Sequence, residues 1–197
     1  AANPVDSIFQ IGDPVNLLTR IEERDELDYK EELNDTHKGK ADFLKDCSAI
    51  ANNGGGVLVF GVRDRDLVGV KEQELQHYDP SRLHDRVKAH LSPIPRITTE
   101  IVRQDGKQFP FVKIAGIGNA PILIAKNFHD EKNNQLLREG QIYIRQNTKT
   151  ILVHTEAQIR HVLERVIIHE VRDRLSVIRP ILSEGHPTHE RDPTVEM

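Results

Sequence analysis

One stretch constrains the chain more than any other. Asn52-Asn53-Gly54-Gly55-Gly56 runs directly into Val57-Leu58-Val59-Phe60-Gly61-Val62. Three glycines supply the positive φ values that end a helix and turn the chain, and the almost unbroken apolar run behind them suits a central strand buried on both faces. The charged turn Arg63-Asp64-Arg65-Asp66 follows, and Leu67-Val68-Gly69-Val70 returns, so residues 57–70 read as a hairpin. Upstream, Phe43, Leu44, Cys47, Ile50 and Ala51 recur at helical spacing. They predict a helix over about 40–52, with Cys47 on its core-facing side rather than displayed as a nucleophile.

The remaining segments mix helices with strands. A short helix is expected over 16–24, then a strand at Leu27-Asp28-Tyr29-Lys30, where apolar and polar residues alternate. Residues 33–39 read as a polar connection. Leu83, Val87 and Leu91 stripe a helix over 81–91 that Pro93 and Pro95 stop. Residues 97–102 and 109–114 read as strands around Gln104-Asp105-Gly106-Lys107, and 142–145 as another. Thr155 caps a long helix with Ile159, Val162, Leu163, Val166, Val171 and Leu175 along one stripe. The 197 residues suffice for one sizeable domain. We place it at 16–178, after an N-terminal loop at 1–15 and before a flexible tail at 179–197. Pro180, Gly185, Pro187 and Pro193 make that tail a linker to a fused or associated domain.

Charge narrows the partners. Lys plus Arg number 27 and Asp plus Glu 31, a net charge of −4, so any nucleic-acid contact comes from a local patch and not from a basic coat. The single cysteine excludes an internal disulfide and a cysteine-clustered zinc site, and fits a cytoplasmic setting. No apolar run approaches the ~20 residues of a membrane helix. Gly39-Lys40 lacks the earlier glycine of a phosphate-binding loop, the triple glycine precedes a strand and not a helix, and no His-Glu-x-x-His occurs.

Several residues are candidates for chemistry. Asp28 and Lys30 share one face of their strand, with Leu27 and Tyr29 turned to the core. A carboxylate beside an ammonium suits phosphodiester hydrolysis, with the acid holding Mg²⁺ or Mn²⁺ and the lysine steadying water or the developing phosphorane. The same pair also reads as a surface ion pair worth little. Asp64 emerges at a strand end, where open α/β sheets place ligands, or is a solvated turn residue. Glu23 meets Asp28 only if a helix ends and a strand begins between them. Arg63 in the charged turn, Arg82, Arg86 and Lys88 on one helix, and Arg96 at its exit are available to phosphates or line a solvated face. Arg145 and Lys149 flank a second patch of the same kind.

The order of these pieces resembles the Schlafen AlbA-like family over about residues 16–170. The resemblance rests on Glu23, Asp28-Tyr29-Lys30, Ala49-Ile50-Ala51-Asn52-Asn53-Gly54-Gly55-Gly56, Gly61-Val62-Arg63-Asp64 and Tyr143-Ile144-Arg145. Leu67-Val68-Gly69-Val70 fits as well, as does Ala120-Pro121 before a strand. It implies a mixed α/β (α+β) fold, a curved mixed sheet flanked by helices, with the long C-terminal helix following. Animal Schlafen cores that cleave tRNA and rRNA use three carboxylates and a divalent metal. Those carboxylates match Glu23, Asp28 and Asp64, and the family lysine matches Lys30. Asp28 departs from the more usual Glu and shortens the reach by about one bond. The resemblance therefore implies an endoribonuclease dependent on Mg²⁺ or Mn²⁺ that acts on tRNA or other structured RNA, with antiviral defence as the role by analogy. The alternative is a non-catalytic DNA- or RNA-binding regulatory module. RNA is favoured over DNA. The animal core joins two lobes where this chain has one, so a homodimer is expected.

Overall fold

The computed structural model describes residues 14–183, with side-chain surroundings described for 16–176. The loop expected over 1–15 and the tail expected over 179–197 lie mostly outside the described residues.

A sheet of four strands forms the centre, in the order β1 (Leu27–Lys30), β2 (Gly55–Phe60), β7 (Lys107–Ala115), β6 (Ile97–Gln104). β1 runs parallel to β2, with Leu27 opposite Val57, and the other two pairings are antiparallel. All six residues of β2 are buried. Alternation along the strands divides the core between the two faces. Leu58, Phe60, Val112 and Ile114 pack with α2 (His37–Asn52) and with Leu83 and Val87 of α3 (Pro80–Lys88). Val57, Val59, Phe109 and Phe111 pack with Leu18 of α1 (Pro14–Thr19), beside Tyr29.

The architecture is the expected mixed α/β one, with several boundaries moved. α1 stops at Thr19 instead of 24, because the chain then extends into a small bridge in which Arg24 and Leu27 exchange backbone hydrogen bonds of 2.9 and 3.1 Å. α2 begins at His37 inside the expected connection, because the Thr36 hydroxyl caps it by accepting from Gly39 N at 3.1 Å. The expected hairpin over 57–70 is shorter. Gly61, at φ 95°, ends β2 and redirects the chain into β3 (Val62–Arg63) and β4 (Asp66–Leu67). Only these two short strands pair with each other.

β8 (Leu123–Ile124) is the strand that the resemblance implies after Ala120-Pro121; its partner β5 (Leu91–Ser92) went unforeseen, as did the pair β9 (Phe128–His129) and β10 (Gln135–Leu137). β12 (Lys149–Leu152) was also missed; it pairs with β11 (Tyr143–Gln146). α4 (Glu156–Ser183) continues past the boundary drawn after 178. Its cap is as expected: Gln158 N donates to the Thr155 hydroxyl at 3.3 Å, and the Gln158 side chain accepts from His154 N and Thr155 N. Its stripe is not core. Val162 is buried, but Ile159, Leu163, Ile167, Ile168, Val171 and Leu175 are 50–58% exposed. Among the described residues, no helix is long and apolar enough to cross a membrane.

Candidate functional site

The site is built from the end of α2 outward. Asn52 is fully buried. Its amide nitrogen donates to the carbonyls of Ile122 and Tyr143, both at 2.9 Å, and its oxygen accepts from Ile122 N at 2.8 Å. Asn53 holds Arg145, two residues further along β11, by both backbone groups: its amide donates to Arg145 O at 2.8 Å and its oxygen accepts from Arg145 N at 3.1 Å. The polar end of the glycine-terminated helix is thus a clamp on β11, and the clamp delivers Arg145 to β1.

There Arg145 meets a buried charge network. Its Nη1 donates to Asp28 Oδ2 at 3.2 Å and to the Thr150 hydroxyl at 3.3 Å, and that hydroxyl donates to Asp46 Oδ1 at 2.6 Å. Lys30 Nζ lies 3.0 Å from both Asp28 and Asp46. Burial opposes the Lys30 charge, but Asp46 and Asp28 outweigh it and hold its pKa above the ordinary lysine value. The expected pairing of Asp28 with Lys30 on one strand face is present. α2 and β11 cover the Asp28 end of the pair, while the Lys30 side chain stays 38% exposed, so the pair is half-buried and not a free surface ion pair. Asp46 went unnoticed in the sequence, where its one signal was an acid set among the apolar positions of the helix.

The other candidates stand elsewhere. An open cleft of about 1050 Å³ lies at the ends of β1 and β3. Glu23, Lys30, Arg63 and Asp64 line it, together with Glu22, Arg24, Glu31 and Arg65. Asp64 and Arg65 occupy the hairpin turn at φ 47° and 75° and are exposed. Arg63 pairs with Glu31, and that hydrogen bond holds the Glu31 carboxyl below its usual range. Four cations and four carboxylates therefore line the opening together. Arg82 and Lys88 are exposed on α3 and Arg96 is exposed before β6, whereas Arg86 is mostly covered, bound to Asp35 and lying over the Phe43 ring. Lys149 is exposed at the start of β12, but Arg145 is 4% exposed and joins no surface patch with it.

Glu23, Asp28 and Asp64 were expected to meet around one ion, and the donor set does not fit that expectation. Asp28 Oδ1 accepts from Tyr29 N at 3.1 Å, and Oδ2 is held by two cations. Asp28 is withdrawn from the cleft that Glu23 and Asp64 line. Among the described residues, no group of three His, Cys, Asp or Glu side chains is arranged to hold a metal.

Residues 23–154 match the profile of the family described as Schlafen, AlbA_2. The chain belongs to that family. The Schlafen AlbA_2 match spans β1 through β12, including the Asn52–Asn53 clamp, the charge network and the cleft lining except Ile21 and Glu22, and it gives the chain a nucleic-acid-related function. No curated protein matches it. Two of the solved structures that it resembles are as follows. The DIP2311 protein from Corynebacterium diphtheriae is 15% identical with a TM-score of 0.47, over 80% of this chain and 27% of that one. The present chain thus spans about a quarter of that protein's length. The N-terminal domain of a RecG-related protein from Nitrosomonas europaea is 15% identical with a TM-score of 0.38, over 79% of this chain and 97% of that one.

Proposed function

We propose that this chain is a nucleic-acid-binding module that takes a phosphate backbone into the cleft at the ends of β1 and β3. The observation that carries this reading is the hairpin turn: Arg63 and Arg65 are exposed at the mouth of a cleft that Arg24 and Lys30 also line. Guanidinium groups donate in a planar fork that matches phosphate oxygens. The interleaved Glu22, Glu23 and Asp64 accept from ribose hydroxyls or base amines, and they keep the cleft from attracting anions indiscriminately. Kinship with RNA-cleaving Schlafen cores favours RNA over DNA. The same reading joins two copies through α4, supported by its exposed apolar residues. Light scattering then gives about twice the 22.5 kDa of one chain.

Anisotropy of labelled tRNA against salt tests the cleft. Four cations at most meet phosphate there, so the slope of log K on log salt is shallow, about −3 to −4. An Arg63→Ala/Arg65→Ala variant flattens it by ~2 and weakens binding for every sequence alike. Unchanged affinity in that variant overturns the reading. Incubation with Mn²⁺ separates it from the nuclease alternative, which keeps one supporting observation: Glu23, Lys30 and Asp64 share the cleft. Shifted, intact RNA supports the binder. Cleavage that is lost in Asp64→Ala replaces it with the endoribonuclease.

A further inference from the structure

A second cavity, of about 540 Å³, opens between the start of α2 and the α3 helix. It shares no lining residue with the cleft. Six basic side chains reach it: His37, Lys40, His77, Arg82, Arg86 and His90. The one acid among its lining residues is Asp35, which Arg86 Nη2 contacts at 2.5 Å, with His77 Nδ1 at 3.8 Å and Lys40 Nζ at 4.0 Å. Two further carboxylates stand outside the lining, Glu74 at 3.4 Å from His77 and Glu131 at 3.6 Å from His37. Among the described residues, the buried Arg86 Nη1 and His90 Nδ1 atoms have no hydrogen-bond partner, an arrangement that costs free energy unless water or a ligand supplies one. His37 and Lys40 sit in the first turn of a 16-residue helix, whose positive end faces the same space. Phe128 closes one side, its ring 5.8 Å from His37 and 4.8 Å from His90.

We infer that this cavity is a binding site for a terminal phosphate monoester. Charge decides between phosphate types. Lys40, Arg82 and Arg86 set against Asp35 leave two positive charges in excess among the lining residues, before any imidazole is protonated. That matches the dianion of a monoester better than the single charge of an internal diester. Arg86 turns its unpartnered nitrogen to the phosphate oxygens, His90 joins it in the tautomer that carries the proton on Nδ1, and Arg82, which has no ion pair among the described residues, swings in from the rim. The volume exceeds what a bare phosphate fills, and the Phe128 ring offers an apolar wall for the sugar or base that carries it. The carrier is either a mononucleotide or the 5′ end of an oligonucleotide.

Calorimetry with the full chain tests this using inorganic phosphate, adenosine 5′-monophosphate, and one oligonucleotide carrying either a 5′-phosphate or a 5′-hydroxyl. Binding of the monophosphate is expected, and it weakens by about tenfold for each cation removed in Arg82→Gln and Lys40→Gln. Both side chains are solvent-accessible, so these variants fold; Arg86→Lys is a third probe that keeps the charge and loses the fork. An oligonucleotide preferred in its 5′-phosphate form identifies a nucleic-acid end as the carrier, and equal binding of the two forms identifies the mononucleotide. Arg63→Ala/Arg65→Ala leaves monophosphate binding unchanged, which separates this site from the cleft. Absence of binding by every phosphate, or full binding in the Arg82→Gln/Lys40→Gln double variant, overturns the inference.

Discussion

Asp28 and Asp64 have the same side chain and opposite circumstances. Asp28 is 4% exposed and answers two cations; Asp64 stands in solvent on a turn. Replacing Asp28 with Asn takes from Arg145 the one carboxylate it touches among the described residues and leaves Lys30 with Asp46 alone, and breaking a buried pair in this way costs about 3–5 kcal/mol. A urea denaturation midpoint checks it: an unchanged midpoint shows that the network does not stabilise the fold. Asp64→Asn is expected to change stability by less than about 0.5 kcal/mol, because it is exposed and Asn tolerates the left-handed conformation. A loss of RNA binding or cleavage in Asp64→Asn therefore reports function, whereas the same loss in Asp28→Asn is confounded by unfolding. Strand alternation made the shared face of Asp28 and Lys30 legible. The cover over that face was not, because Arg145 arrives from a strand 117 positions away and no local pattern announces it.

At the scale of elements, the turn that carries Asp64 depends on Gly61. A Cβ there would lie 2.9 Å from both Gly69 Cα and the Phe109 ring, at a φ that side chains avoid. Gly61→Ala is expected to cost about 1–3 kcal/mol and to displace the hairpin, read as a lower melting temperature together with weaker RNA binding. The sequence foretold a strand here from its apolar run, but it could not foretell that the run breaks at one glycine. α4 shows the opposite failure. Its periodicity is plain, yet period identifies an apolar face without saying what covers it. Ile168→Glu/Leu175→Glu is expected to leave the monomer's stability intact, because both side chains are half exposed, and to halve the mass measured by light scattering if α4 joins two copies. The two-residue strand β5 is too short to carry any period, and only its pairing with β8 makes it visible.

For the molecule as a whole, a central sheet flanked by helices was legible from the apolar run of β2 and the stripes of α2 and α3, but the division that sets α2 and α3 on one face and α1 on the other was not. Burial in that core also sets the response to alkali. Desolvation pushes the Tyr29 phenol up from 10.0 to about 12, where it donates to Leu17 O at 2.8 Å, and burial raises Tyr78 and Tyr143 as well. A raised pKa means that the unfolded chain loses its proton first. The contribution of Tyr29 is therefore complete below pH 10 and fades as pH climbs towards 12, and Lys30, also raised, acts in the same direction. Thermal melts from pH 8 to 12 should show a plateau and then a steep fall; a flat profile would contradict the buried phenols.

The asparagine pair at the end of α2 imposes an order of events on the nascent polypeptide. Every partner of the Asn52 amide belongs to Ile122 or Tyr143, apart from a longer contact with Ser48. A ribosome that has released the chain only as far as residue 100 holds a helix whose innermost amide has Ser48 alone to bind. Translation must bring residue 145 out of the exit tunnel before β1 receives its arginine, so the charge network closes late, and fragments ending short of β11 should stay susceptible to protease however well their helices form.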